Sequence, residues 1–327
     1  MPDVAFVSPN VSALVTLAFI VWMLMARERL PVDLPNRRSL HVRPMPRSGG
    51  IAMMAGIFTG FALMQTPLVV ILPAALLVAF SHADDAAGLP VAPRLAIQAA
   101  AAAGFAYFAL PMLPLPALAL IIPGVLWLIN LYNFMDGSDG LAGGMTVIGF
   151  SSLGAGAWLS GDDALLIECS IVASAGAAFL LFNFPPARLF MGDAGSVPLG
   201  FFAAALSLTG WRDGDWPLWF PLAVFAPFIG DATLTLVRRF AAGERVWDAH
   251  NTHYYQRLVR MGWSHRRTAL AEYGLMAACG GAALWALREP LYLQVCALLV
   301  IAALHAVLAL RIDSAWRRNE KQTIESP

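Results

Sequence analysis

Long apolar runs separated by short polar segments recur along the whole chain. Most of these runs approach the roughly 20 residues that an α-helix needs to cross a bilayer. The pattern predicts eleven membrane spans, at about 10–26, 49–66, 67–82, 93–112, 114–133, 141–159, 164–184, 196–211, 217–237, 268–287 and 290–311. We therefore expect an all-α polytopic membrane protein, folded as a bundle of about 10–11 transmembrane helices.

The composition agrees with this prediction. The chain is 59% hydrophobic and 13% charged, with a mean hydropathy of +0.66, whereas soluble domains carry about 25% charged residues. These values exclude a disordered chain, a collagen, a coiled coil and a basic nucleic-acid-binding protein. The three cysteines lie in apolar runs and are expected to be core residues. A single integral membrane domain over 1–327 is expected, with no nucleic-acid partner.

The distribution of basic residues predicts the topology. If the segment after the first span is cytoplasmic, 19 of the 21 Lys and Arg residues fall on the cytoplasmic side, as the positive-inside rule requires. This places the N-terminus outside and the C-terminus in the cytoplasm, and makes the first span an uncleaved signal anchor. The cytoplasmic loops, expected to form the site, are then 27–48, 82–93, 133–141, 185–196 and 238–267.

Six carboxylates from four separate stretches lie near the cytoplasmic ends of the predicted spans: Asp84, Asp85, Asp136, Asp139, Asp193 and Asp231. Acids near a membrane span are costly and mark functional sites. A helix cap explains one aspartate, but adjacent carboxylates repel unless a cation lies between them. Oxygen ligands favour Mg²⁺, with Mn²⁺ as the alternative. Since Mg²⁺ commonly binds substrate phosphates as well, phosphoryl chemistry is indicated.

The segment 130–144 is the most informative. Asn130, Asn133, Asp136 and Asp139 recur at every third residue, so a helix or a tight helix end would gather them on one side. The interspersed glycines permit backbone to approach a ligand closely. An ordinary turn is the alternative interpretation of the Asp-Gly-Ser-Asp-Gly portion.

Three further segments carry candidate phosphate-binding groups. In 183–196, glycines and a serine surround Asp193 at the start of a span, where free helical N–H groups could face a phosphate. In 238–267, His250 and His253 share a helix face beside a basic patch, which would suit phosphate oxygens or anionic lipid headgroups. The basic first loop, with Gly49-Gly50, would suit a diphosphate, although its arginines also serve the positive-inside rule.

Five stretches together resemble a known family. They are 38–50, 84–85, 130–142, 183–196 and 249–258, and they resemble the polyprenyl-phosphate N-acetylhexosamine-1-phosphate transferases (glycosyltransferase family 4). The likeness is greatest to the short O-antigen-initiating branch. The chain differs from the family pattern in the Ser81-His82-Ala83 context before the aspartate pair, and in Asn251, where that branch has Arg.

The resemblance implies transfer of an N-acetylated amino-sugar 1-phosphate from a UDP-sugar to undecaprenyl phosphate, with release of UMP. This would initiate a lipid-linked cell-envelope polysaccharide of the O-antigen type at the inner membrane, with the active site facing the cytoplasm. Direct attack and an enzyme-bound intermediate both remain open, and so does the oligomeric state, a homodimer included. The rival interpretation is a cation-coupled transporter of an anionic substrate, whose acids would lie near the bilayer midplane.

The candidate site residues follow from the motifs and the resemblance together. The catalytic candidates are Asp84, Asp85, Asp136, Asp139, His250 and His253. The substrate-binding candidates are Arg43, Arg47, Gly49, Gly50, Asn130, Asn133, Asn183, Arg188, Asn251 and Arg257. Asp193 and Asp136 are the expected metal ligands.

Overall fold

The computed structural model describes residues 2–26, 32–33, 40, 44–246, 248 and 250–325. In this part of the chain the only sheet is an antiparallel pairing of β1 (Val32–Asp33) with β2 (Met45–Pro46). The helices are α1 (Pro2–Met25), α2 (Gly49–Met64), α3 (Leu68–Ala87), α4 (Val91–Ala109), α5 (Leu115–Phe134), α6 (Leu141–Ser160), α7 (Asp163–Asn183), α8 (Asp193–Asp213), α9 (Trp219–Val224), α10 (Ala226–Ala241), α11 (Tyr254–Arg260), α12 (His265–Ala286) and α13 (Leu291–Glu325). The prediction of an all-α fold is confirmed.

Six of these helices are long and apolar enough to cross a membrane: α1, α3, α5, α7, α8 and α13. The chain is therefore a multi-pass membrane protein. The other predicted spans coincide with α2, α4, α6, the α9–α10 pair and α12. The count of eleven spans and the sides on which the termini lie stay predictions.

Helix α8 is the centre of the bundle, because 89% of its apolar span is buried, against 11% of that of α13. Small residues let its neighbours approach closely. A Cβ atom placed on Gly200 would lie 2.6 Å from the carbonyl oxygen of Leu128 in α5. The end of α5 and the start of α8 are consequently held side by side.

Two helix boundaries differ from the sequence prediction and bear on the site. The segment predicted as a span over 217–237 is not one continuous helix: it breaks at Phe225, because Pro227 has no N–H to continue the backbone ladder. Helix α3 extends past the predicted span and ends at Gly88, which adopts φ +63° and donates its N–H to the carbonyl oxygen of Asp84 at 2.8 Å. Asp84 and Asp85 therefore lie in the last turn of α3 and not in a loop over 82–93.

Candidate active site

The site is built around the first residue of the central helix. Asp193 begins α8, and its side chain is 15% exposed. Arg47 donates from Nη2 to Asp193 Oδ1 at 2.5 Å, and Arg94 donates from Nη2 to Oδ2 at 3.1 Å. Both carboxylate oxygens of Asp193 therefore face cations from elsewhere in the chain.

The same two arginines bind the aspartate pair of α3. Arg94 Nε lies 3.1 Å from Asp84 Oδ2, and Arg47 Nη2 lies 3.3 Å from Asp85 Oδ1. Asp84 is buried and also accepts a hydrogen bond from the N–H of Leu89 at 2.7 Å. Each guanidinium thus bridges two carboxylates. Three acids from α3 and α8 are held together at one end of the bundle.

Asp136 joins this group from the turn after α5. Its carboxylate accepts a hydrogen bond from the N–H of Gly192, the residue before α8. Burial raises the pKa of Asp136 well above its ordinary value; Arg47 opposes this effect, and the neighbouring charge of Asp193 reinforces it. Asp136 is therefore a fourth carboxylate beside the arginines. We use the name carboxylate–arginine cluster for the five residues that it faces: Arg47, Arg94, Asp84, Asp85 and Asp193.

The four Asn and Asp residues of the 130–139 run do not all lie on one side. Asn133 Oδ1 accepts from Ser196 Oγ of α8 at 2.7 Å, and Asn130 donates to Gln98 of α4 at 2.8 Å. Asp139 points elsewhere: its Oδ2 accepts from the N–H of Ala187 at 3.0 Å. The structure brings Asn133 and Asp136 against the start of α8, Asn130 against α4, and Asp139 against the 184–192 loop.

Several predicted substrate-binding groups hold the backbone of the site. The N–H groups of Gly49 and Gly50 donate to the carbonyl oxygens of Phe190 and Met191, each at 2.9 Å. Asn183 bridges the N–H of Gly140 and the carbonyl oxygen of Leu189, with both bonds at 2.9 Å. These groups therefore bind backbone atoms of the same chain, and they fix the loop that precedes Asp193.

A second group of polar residues surrounds His253. Asp231 of α10 accepts at Oδ1 from the N–H of Tyr254 at 2.9 Å, and the same oxygen lies 3.1 Å from His253 Nδ1. Its Oδ2 accepts from the N–H of Tyr255 at 2.9 Å. Asp231 and His253 are both buried. One carboxylate therefore sets the position of the start of α11 and the orientation of the His253 ring.

His250 lies beside His253, with their ring centroids 4.8 Å apart. Burial, together with the neighbouring charges of His253 and Arg239, lowers the pKa of His250 to about 4. His250 is therefore neutral at pH 7, with its Nδ1 3.0 Å from the hydroxyl of Thr252. Such a ring offers hydrogen bonds without a charge.

The histidines adjoin the turn that carries Asp136. The ring of His253 stacks on Phe134 at 6.0 Å, and Tyr255 donates from its hydroxyl to the carbonyl oxygen of Phe134 at 3.0 Å. A Cβ atom on Gly137 would lie 2.1 Å from that hydroxyl oxygen, so this position has room only for glycine. The close packing links the histidine loop to the carboxylate–arginine cluster through residues 134–137.

The remaining predicted residues lie toward the edge of the site. Arg257 Nη1 donates to Asp313 at 2.8 Å, and Asn251 accepts from Arg260 at 3.2 Å. Arg188 is exposed and has no ion pair within the described residues. Arg43 falls outside the described residues.

The residues predicted for the site include neither Arg94 nor Asp231. The sequence indicates Arg94 only as a basic residue of the cytoplasmic side, although a cation in the first turn of apolar α4 is itself an unusual feature. It places Asp231 in the group of six acids, but the histidine loop that Asp231 binds is 22 to 24 residues away in sequence. Only the folded chain shows that it orients a histidine.

The sequence of this chain is similar to those of known glycosyl transferases. The model of glycosyl transferase family 4 matches residues 67–211. A probable undecaprenyl-phosphate N-acetylglucosaminyl 1-phosphate transferase of Bacillus subtilis is 32% identical, over 74% of this chain and 73% of the relative. A decaprenyl-phosphate N-acetylglucosaminephosphotransferase of Mycobacterium tuberculosis is 31% identical, over 74% and 72%. An undecaprenyl-phosphate alpha-N-acetylglucosaminyl 1-phosphate transferase of Escherichia coli is 26% identical, over 72% and 71%.

Proposed function

Because the chain belongs to glycosyl transferase family 4, we propose that it transfers an N-acetylated amino-sugar 1-phosphate from a UDP-sugar to undecaprenyl phosphate. UMP is the second product. The observation that carries the proposal is the carboxylate–arginine cluster at the end of the central helix, with two histidines beside it. The relatives are named for two lipid carriers, undecaprenyl phosphate and decaprenyl phosphate. For this chain we propose O-antigen-type polysaccharide initiation at the cytoplasmic face of the inner membrane.

The charges in the cluster fit two anionic substrates. A nucleotide diphosphate and a lipid phosphate repel each other, so they meet only where cations offset their charge. Arg47 and Arg94 supply two guanidinium groups, each of them about one third exposed and thus accessible to a ligand. We propose that the two arginines bind phosphate oxygens when substrates enter.

The donor set also suits a divalent cation. Among the described residues, no three His, Cys, Asp or Glu side chains form a ready metal-binding group. Mg²⁺ needs fewer, because it commonly binds through one or two carboxylates with phosphate oxygens and water as the other ligands. Asp193 and Asp136 are the proposed ligands. Bound Mg²⁺, or Mn²⁺ in its place, would offset the charge of the diphosphate.

The bond changes are those of a phosphoryl transfer. An oxygen of the lipid phosphate forms a bond to the β-phosphorus, the bond between that phosphorus and the bridging oxygen breaks, and UMP leaves with this oxygen. Asp84 or Asp85 deprotonates the lipid phosphate, or accepts a hydrogen bond from it and so orients it for attack. His253, oriented by Asp231, and neutral His250 donate hydrogen bonds to the diphosphate oxygens.

The proposal is tested by supplying purified protein with Mg²⁺, undecaprenyl phosphate and a panel of UDP-sugars, and measuring release of UMP. We expect release with at least one UDP-N-acetylhexosamine, and none after removal of Mg²⁺. Asp193→Asn should lose at least about 100-fold in kcat. Its midpoint of thermal unfolding should equal that of the wild type. If the folded protein releases no UMP with any UDP-N-acetylhexosamine, the proposal is wrong.

A further inference from the structure

The last helix extends well beyond the span predicted for it. Helix α13 continues to Glu325, whereas the apolar pattern ends near residue 311. The additional turns pass beside α11, the short helix that follows the histidines. Asp313 is an acid in these turns, and its side chain is only 22% exposed.

Asp313 binds three side chains from two other helices. Its Oδ1 accepts from Arg257 of α11 at 2.8 Å and also from Arg238 of α10. Its Oδ2 accepts from the hydroxyl of Tyr254 at 3.3 Å. A single carboxylate therefore joins α10, α11 and α13, and it separates two guanidinium groups that would otherwise repel each other.

Ring contacts strengthen the same junction. The guanidinium of Arg257 lies 5.2 Å from the ring centre of Trp316 in α13, and that of Arg260 lies 4.7 Å from it. Arg238 lies 5.1 Å from the ring of Tyr254. Cation–π contacts of this kind add to the attraction between the three helices. Two successive turns of α13 thus hold the outer face of α11.

The start of α11 is held by a second carboxylate. Asp231 binds the N–H groups of Tyr254 and Tyr255 and contacts the ring of His253. Helix α11 is therefore fixed by two carboxylates, Asp231 of α10 at its first backbone N–H groups and Asp313 of α13 at the side chains of Tyr254 and Arg257. It has only seven residues, and a helix this short does not hold its shape without such contacts.

We infer that Asp313 is a positioning residue for the transfer reaction, which holds α11 through Arg238, Arg257 and Tyr254 so that His253 keeps its place. The inference rests on the proposed function. It also assigns Arg257, a predicted substrate-binding residue, to this junction, because its Nη1 and Nε both bind protein: Asp313, and the carbonyl oxygen of Thr252 at 2.9 Å.

The test compares Asp313→Asn with Asp313→Glu and with Glu320→Gln. Glu320 is exposed on the same helix and acts on Arg257 only through its charge, so its substitution removes an equal charge and leaves every hydrogen bond of Asp313 in place. Amide hydrogen exchange over 253–260 and the kinetics of UMP release are measured on the full chain. For Asp313→Asn we expect exchange to be about tenfold faster, and kcat to fall about 10- to 100-fold. KM should change less than about threefold, since this variant removes no group that contacts substrate.

The outcomes separate the two proposals. Recovery of kcat in Asp313→Glu, with Glu320→Gln like the wild type, supports positioning by the carboxylate. Exchange in Asp313→Asn equal to that in Glu320→Gln overturns the inference, and so does faster exchange with unchanged kcat. If Asp313→Asn does not fold, Trp316→Leu takes its place with the same expectations. If the wild type releases no UMP, the proposed function fails, and the exchange data still decide whether Asp313 holds α11.

Discussion

Replacing Asp231 with Asn should disconnect the histidines from the site while leaving the size of the side chain unchanged. The carboxylate accepts from the N–H groups of Tyr254 and Tyr255, from Thr235 Oγ1 at 3.2 Å, and contacts His253 at 3.1 Å. Three of these contacts use Oδ1, and Oδ2 alone receives the N–H of Tyr255. An Asn whose carbonyl oxygen takes the Oδ1 position presents an amide N–H₂ group to Tyr255.

The magnitude follows from this geometry. The N–H of Tyr255 loses its acceptor in a buried position, which costs about 1–3 kcal/mol. Each of the three contacts at Oδ1 loses its charge assistance, which is worth roughly 1 kcal/mol. The total of about 4–6 kcal/mol corresponds to a loss of more than about 100-fold in the population with His253 in place, since 1.36 kcal/mol is a factor of ten.

The assay is kcat for UMP release together with hydrogen exchange over 253–260. Thr235→Val is the matched control, because it removes one neutral donor to the same oxygen and should cost about 1 kcal/mol or less. We expect Asp231→Asn to lose about 100-fold or more in kcat, and Thr235→Val to lose less than tenfold. If an Asp231→Asn protein keeps a third of the wild-type kcat, the carboxylate of Asp231 is not needed to hold His253 in place.

Three further predictions concern the cluster, the helix packing and pH. Arg94→Gln removes the partner of two carboxylates and should lower kcat/KM at least about tenfold, whereas Arg288→Gln, at an exposed residue between α12 and α13, should not. Gly50→Ala places a Cβ atom 2.4 Å from the backbone of α8 and should cost about 1–3 kcal/mol in unfolding experiments; Gly124→Ala, with no atom within 4 Å, should cost nothing. Because burial lowers the pKa of His250 from 6.5 to about 4, the unfolded chain takes up a proton in this window before the folded one. The stability of the wild type relative to that of His250→Asn should therefore fall as pH drops from 6.5 to 4; equal slopes in the two proteins would contradict this.

The helices were predictable from sequence because their signal is local. Apolar runs and their lengths anticipate the helices, and the position of Asp193 at the start of one of them. The break of the helix at Phe225 does not follow from the apolar pattern, because Pro227 lies within a run that is otherwise apolar. The extension of α13 was missed because its last turns are polar and are held by contacts with α11.

The partners of the site residues could not be predicted, because they depend on long-range packing. Asp193 and Arg47 are 146 residues apart, and Asp193 and Arg94 are 99 apart. Motif spacing identified the acids, and gave no indication that each arginine would bridge two of them. Periodicity also grouped Asp139 with Asn130, Asn133 and Asp136, but Asp139 follows the turn at Ser138 and faces the 184–192 loop.

In the proposed reaction a sugar 1-phosphate, and not the sugar alone, is transferred to the lipid. The most direct measurement uses a UDP-N-acetylhexosamine radiolabelled at its β-phosphate, supplied to the purified protein with Mg²⁺ and undecaprenyl phosphate. We predict that the label is recovered in the lipid product and that the UMP released is unlabelled. Recovery of the label in UDP, with an unlabelled lipid product, would show that the sugar alone is transferred, and the proposed reaction would be wrong.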